Sequence, residues 1–331
     1  MAKKRRSRKK KRKSAARRLA HLAPERFEDV CDRPAETVDW GLRQTGVPQV
    51  WTVTRGRGIR VGVLDTGVAP FHPDLQPIAR MKDFTLATQP EWASDDTGHG
   101  THCAGIIAAR ANGVGVIGVA PEAELYIAKV IRGTDTDAQS VADGIRWMAD
   151  EGVRVLSMSF TAREDHTCIR EAVRESLDGG CFLVAAAGNE PGGPFTGSTV
   201  RYPARYEGVI AVGSVALTSD DPSIPLKERV RVSGLSAFGK ELDLVAPGVR
   251  VLSTYPPDKY AVATGTSQAG AFVAGVVALV LAKHVAQGGE TPVETPAQMV
   301  EHLRRSAMDL EQPGFDPRSG FGLIDPRRLF A

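Results

Sequence analysis

From Ile59 onward, short apolar runs alternate with segments of helical spacing. Ile59–Leu64, Leu125–Val130, Val153–Met158, Phe182–Ala187, Val209–Val212 and Leu242–Ala246 are near-continuous in branched and small apolar residues. Between them, apolar positions recur at helical intervals in His99–Ala109, Asp137–Glu151 and Cys168–Leu177, and later in Thr266–His284 and Pro296–Ser306. Strands apolar on both faces, separated by helices, predict a parallel sheet covered on each side. The expected class is α/β: three layers, α/β/α, around a central mostly parallel sheet. Pro191–Thr199 and Leu217–Leu226 carry the Gly, Pro, Ser and Asp content of loops. No internal repeat is visible.

Composition narrows the class. The chain has 331 residues, of which 42% are hydrophobic and 24% charged, as in a globular protein with a sizeable core. The longest apolar stretch, near Phe272–Ala282, is shorter than a membrane span. No apolar segment follows the N-terminal charges, so no secretory signal is expected and the expected location is cytoplasmic. Cys31, Cys103, Cys168 and Cys181 lack metal-type spacing and read as free thiols, a Cys168–Cys181 bridge being the alternative.

Charge is unevenly spread. The net value of +3 hides twelve Lys or Arg within residues 1–18 and no acid there, which leaves 30 of the 42 basic residues against 39 acidic ones. Residues 1–26 read as a disordered basic arm. Such an arm could hold a polyanion, either nucleic acid or anionic membrane, through residues 3–18, or it could be a solvated tail. Residues 27–35 read as a linker or a short strap, and 36–331 as the folded domain. Oligomeric state is not legible.

Three glycine-rich segments carry the chemistry: VGVLDTGV (61–68), DTGHGTHCAG (96–105) and GTSQAGAFVAG (265–275). Asp65 ends a strand, where α/β sheets build their sites, and can fix the tautomer of a histidine. His99 opens a helix and suits a general base. His99 with His102, three residues apart, could instead bind metal, but no further ligand set at zinc-like spacing follows. Ser267 begins an alanine-rich helix, where it is either a cap or a nucleophile beside the positive helix end. Asn189 follows a buried strand and Gly188.

The order Asp, His, Ser within these segments resembles the subtilisin-like serine proteases, from about Glu36 to Phe330. The resemblance implies a serine endopeptidase acting on proteins or peptides, with Asp65, His99 and Ser267 as triad and Asn189 as oxyanion donor. It implies that backbone groups of Ser159, Phe160 and Thr161 pair with an extended substrate, and that Thr161 narrows the pocket for P1, the residue before the scissile bond. Arg201 falls near the pocket floor. There it could favour an acidic P1 residue, pair with Glu190, or point to solvent. His72-Pro73-Asp74-Leu75 and the stretch Ala111–Pro121 match the family's calcium segments. They imply a structural Ca2+ held by Glu36, Asp74, Asn112 and the carbonyls of Arg110, Val114 and Val116.

The chain also departs from the pattern. Gln268 replaces a usual methionine, which removes a site of sulfoxide formation. Ala271 replaces a usual proline. Cys103 resembles the cysteine below the catalytic histidine in the proteinase K branch. Only about 35 residues precede Glu36, too few for a folded prodomain, so residues 20–35 are expected to act as a short strap with self-cleavage nearby. Transamidation on the same triad would need a shielding insertion, and none is seen. A scaffold would predict a damaged triad, and this one is complete.

Overall fold

The computed structural model describes residues 18–19, 26–86, 88, 90–189, 198–286 and 293–330. Its central sheet has eight strands among the described residues. In spatial order seven of them are Val230–Val232, Ile210–Leu217, Phe182–Ala186, Val155–Met158, Arg60–Asp65, Glu124–Lys129 and Ile78–Asp83, while Leu244–Pro247 pairs with Ile210–Leu217. The pairings are parallel except that of Val230–Val232, which runs antiparallel to its neighbour. Val155–Met158 and Phe182–Ala186 are buried at every position, as expected of strands covered on both faces.

Helices form the outer layers. In Ala138–Asp150, Val141, Ala142, Ile145 and Met148 make one buried stripe, and Asp137 caps the start by accepting from Gln139 N and Ser140 N. It packs on Thr167–Asp178, whose buried stripe is Ile169, Ala172, Val173 and Ser176. The long helix Thr266–Ala286 is buried on all sides from Thr266 to Ala282. It is long and apolar enough to cross a membrane, with mean hydropathy 1.9 over its best window, yet 78% of that window is buried inside this fold. It lies against the strands Val155–Met158, Phe182–Ala186, Ile210–Leu217 and Leu244–Pro247 and against the helix His99–Ala108. A core helix needs that composition.

Elements beyond the sequence expectation surround this frame. Strand Ile210–Leu217 runs five residues past its predicted end, because Leu244–Pro247 and Val230–Val232 both pair with its second half. The hairpin Val251–Tyr255 and Lys259–Ala263 carries Glu28–Cys31 as a third strand, within the range read as a linker. Ion pairs of Glu28 and Asp29 with Arg250, and of Asp32 with Lys259, fasten that strand. Arg18–Leu19, within the range read as disordered, pairs with Asp137 and Thr136. The remainder of the basic arm, apart from Arg26, lies outside the described residues. None of the four cysteines is in a disulfide, so no Cys168–Cys181 bridge forms.

Candidate active site

Asp65 closes strand Arg60–Asp65 and is fully buried. His99 is the first residue of helix His99–Ala108. Its Nδ1–H donates to Asp65 Oδ1 at 2.6 Å, and that oxygen also accepts Thr66 N at 2.7 Å. The contact fixes the imidazole so that Nε2 is left to handle a proton. Ser267 is the second residue of the core helix and 5% exposed. Its Oγ donates to Ser159 O at 3.2 Å, while Ser159 Oγ donates to Ser267 O at 3.1 Å.

Asn189 is exposed one residue after Gly188. Its Oδ1 accepts Thr266 N at 2.9 Å and Thr266 Oγ1 at 3.1 Å. With the oxygen committed to the residue before Ser267, the Nδ2 hydrogens are the donors left to face a substrate oxygen.

His102 is a different kind of histidine. It is fully buried, and its Nε2 donates to Ala261 O at 3.0 Å. Burial lowers its pKa to about 3, so it stays neutral and ties the His99 helix to strand Lys259–Ala263. Among the described residues, the metal-capable cluster at this corner is Asp65, His99 and Cys103, with ligand atoms within 4.8 Å of one another. His102 is outside it, so the paired-histidine alternative fails.

Two supporting groups escaped the sequence reading. Asp95 caps the His99 helix: its Oδ1 accepts from Gly98 N at 2.9 Å and Thr97 N at 3.0 Å, and its Oδ2 from Thr101 N at 2.9 Å. It also accepts Thr66 Oγ1 at 2.8 Å, which joins the Asp65 turn to the His99 helix. Lys129, 2% exposed, donates from Nζ to Thr66 O at 2.5 Å and lies 3.0 Å from Asp96 Oδ1. An acid four residues before a helical histidine was the available signal for Asp95. The parallel register Asp65↔Lys129, which only the fold supplies, was the one for Lys129.

The sequence profile of the subtilase family matches residues 56–322. The chain belongs to this family. The major intracellular serine protease of Bacillus subtilis (strain 168) is 38% identical over 270 residues, 80% of this chain and 80% of that protein. Subtilisin Savinase of Lederbergia lenta is 36% identical over 293 residues, 88% and 98% of the two chains. The minor extracellular protease Epr of Bacillus subtilis (strain 168) is 34% identical over 300 residues, 90% of this chain but 42% of that longer protein. The protein is therefore a subtilase, a serine endopeptidase of the Asp/His/Ser type.

The remaining expected positions of this subtilase fall in two places. Ser159 and Phe160 are buried and Thr161 is half-buried, on the segment that faces Ser267. Arg201 lies across from them, with its N–H on Ala187 O at 2.9 Å. Glu190 lies outside the described residues. Glu36, Asp74, Arg110, Asn112, Val114 and Val116 meet at one loop away from the triad. There Glu36 Oε2 accepts Gly113 N at 2.7 Å, and Asp74 Oδ1 accepts Asn112 Nδ2 at 3.1 Å. Asp74 Oδ2 accepts Val116 N at 3.0 Å and the Tyr260 hydroxyl at 2.8 Å. Gly115, at φ +72, is held so close that a Cβ there would fall 2.0 Å from Asp74 Oδ2.

Proposed function

We propose that this subtilase hydrolyses peptide bonds with Ser267 as nucleophile, His99 as proton carrier, Asp65 as orienter and Asn189 as oxyanion donor. The observation that carries these roles is the buried 2.6 Å contact of His99 Nδ1 with Asp65 Oδ1, beside a helix whose second residue is Ser267. Ser267 Oγ attacks the scissile carbonyl carbon and passes its proton to His99 Nε2. The negative oxygen accepts hydrogen bonds from Asn189 Nδ2 and Ser267 N–H. His99 gives the proton to the leaving amine nitrogen, whose bond to the acyl carbon breaks. Water then adds to the acyl-enzyme, again through His99, and releases the acid and the free serine. Ser159, Phe160 and Thr161 hold the substrate backbone by strand addition.

A Ca2+ fits the loop of Glu36, Asp74 and Asn112. The donor set is hard oxygen, from two carboxylates, an amide and the carbonyls of Arg110, Val114 and Val116. A half-turn of the Asn112 amide would put its oxygen beside Asp74 Oδ1, since the two groups already meet at 3.1 Å. The ion would neutralise Glu36 and Asp74 and fix the loop.

The basic residues of 3–18 would carry the enzyme to a polyanion, and a cytoplasmic location agrees with an intracellular relative. Residues 20–35 would act as a strap. Arg18–Leu19 pairs with residues 136–137, and Thr136 shares a small cavity with Phe160 and Thr161. Phe27 stacks on Tyr255, which packs against Gly98 beside His99. Fully active enzyme with an intact N-terminus would contradict the strap.

The test is to incubate the protein, with calcium, in a proteome-derived peptide library and to read new termini by mass spectrometry. Cuts that vanish in Ser267→Ala support the reading. Cuts that persist, or ligated products in place of cuts, contradict it.

A further inference from the structure

The turn after Asp65 has no slack. Thr66 N donates to Asp65 Oδ1 at 2.7 Å, Thr66 Oγ1 donates to Asp95 Oδ1 at 2.8 Å, and Gly100 N donates to Thr66 Oγ1 at 2.9 Å. Gly67 follows at φ +102, and a Cβ on Gly100 would fall 2.1 Å from Gly67 O and 3.1 Å from Asp65 Cβ. Helix His99–Ala108 therefore rests directly on this turn, and a shift of Thr66 moves Asp65 against His99. The Thr66 carbonyl is held by Lys129, whose Nζ donates to it at 2.5 Å. Strand Glu124–Lys129 brings Lys129 into parallel register with Asp65.

An ammonium is an unfavourable group to bury for this purpose. Lys129 is 2% exposed, and its charge has lost hydration that a neutral amide holding the same carbonyl would not forfeit. What the ammonium adds is positive charge at a corner rich in acids. Asp65 bonds His99, Asp95 caps the His99 helix, and Asp96 lies 3.0 Å from Lys129 Nζ. Asp83, level with Lys129 on the next strand, pairs with Arg132 at 2.8 Å. Among the described residues, the other elements packed here bring no cation to His99. Strand Val251–Tyr255 contributes Tyr255 beside Gly98, the core helix is uncharged from Thr266 to Ala282, and Pro73–Leu75 brings Asp74. Helix Ala138–Asp150 turns its apolar stripe to the sheet, while Cys103 and the neutral His102 lie on the His99 helix itself. Nearby negative charge favours the protonated imidazole, which cannot act as a base. The Lys129 charge opposes that effect.

We propose that Lys129 is a positioning residue for catalysis: by holding Thr66 O it sets the Asp65 turn against the His99 helix, and its charge offsets the surrounding acids so that His99 stays available as a base near neutral pH. The proposal rests on the roles of His99 and Ser267 given above, and the two can fail separately. The test is the pH profile of kcat/KM on a peptide substrate, beside thermal melts and with Ser267→Ala as control. Lys129→Gln keeps a donor for Thr66 O but loses the charge, and the acid limb of its profile should move up by about 0.5 pH unit or more. Lys129→Met loses both, and should add to that shift a fall of about tenfold in the plateau kcat. Lys129→Arg keeps a cation and should leave the limb in place. Asp96→Asn, at a side chain 35% exposed, leaves the ammonium unopposed without touching the core, and should move the limb down. A limb unmoved in folded Lys129→Gln, whatever happens to the rate, makes Lys129 a structural fastener and overturns the proposal while the hydrolase stands. Should the Gln and Met variants not fold, an unmoved limb in Asp96→Asn overturns it equally. No Ser267-dependent cleavage by the wild type overturns both readings.

Discussion

Asp65 and Asp74 are both fully buried carboxylates of the same fold, and their surroundings differ in kind. Asp74 has donors on both oxygens: Oδ1 accepts Asn112 Nδ2, and Oδ2 accepts Val116 N and the Tyr260 hydroxyl. Asp65 commits Oδ1 to His99 and to Thr66 N, while Oδ2 has no hydrogen-bond partner among the described residues. A buried acceptor left without a donor costs about 1–3 kcal/mol. Selection for stability alone would remove that cost. A site that must respond when His99 takes a proton can keep it, because the new positive charge then meets an oxygen not already occupied. One carboxylate is a fastener of the loop, and the other fits the orienting half of the proposed catalytic pair.

Substitution can break the comparison, beginning with the largest effect. Asp65→Asn should lower kcat by about 10⁴ through the wrong histidine tautomer, with little loss of melting temperature. Steady-state kinetics beside a thermal melt would check it, and a large drop in melting temperature would make Asp65 a fastener like Asp74. Asn189→Ala should lower kcat by roughly 10²–10³ with KM nearly unchanged, the loss measured for the corresponding change in subtilisin.

Asp74→Ala should do the reverse. It strands Val116 N and the buried Tyr260 hydroxyl, at about 1–3 kcal/mol each. It should also abolish any rise in melting temperature with added calcium, while the folded fraction keeps its kcat. Calorimetry with calcium and with a chelator measures both. A wild-type melting temperature indifferent to calcium would contradict the ion at this loop.

The smallest effect concerns His102. Its pKa is lowered from 6.5 to about 3 by burial, so the unfolded chain binds the extra proton first as pH falls. Stability from this group is therefore complete above about pH 6.5 and is lost progressively as pH drops toward 3. A denaturant titration series should show a flatter slope in that window for His102→Gln than for the wild type.

Much of the site was legible because its residues sit in short segments whose glycines force close backbone approach. The proposed roles of Asp65, His99 and Ser267 were read from their order alone, and the fold adds the contact between Asp65 and His99. The hairpin of Val251–Tyr255 and Lys259–Ala263 was not legible, because its buried positions include Ser253 and Thr254. These spend their hydroxyls on His102 O and Thr101 O, bonds that only the folded neighbour supplies. The added strand Glu28–Cys31 reads as polar linker because it is exposed along its length and held by edge pairing and surface ions. The far end of strand Ile210–Leu217 was missed for the same reason, since its partners are distant in sequence.

The central claim is that His99, oriented by Asp65, activates Ser267. The most direct measurement is labelling with a serine-directed fluorophosphonate, with the adduct mapped by mass spectrometry in the wild type, Ser267→Ala and His99→Ala. The account predicts one adduct on Ser267, absent in Ser267→Ala and slowed by at least 10³ in His99→Ala. An adduct on another residue, or labelling of Ser267 at an unchanged rate without His99, would contradict it.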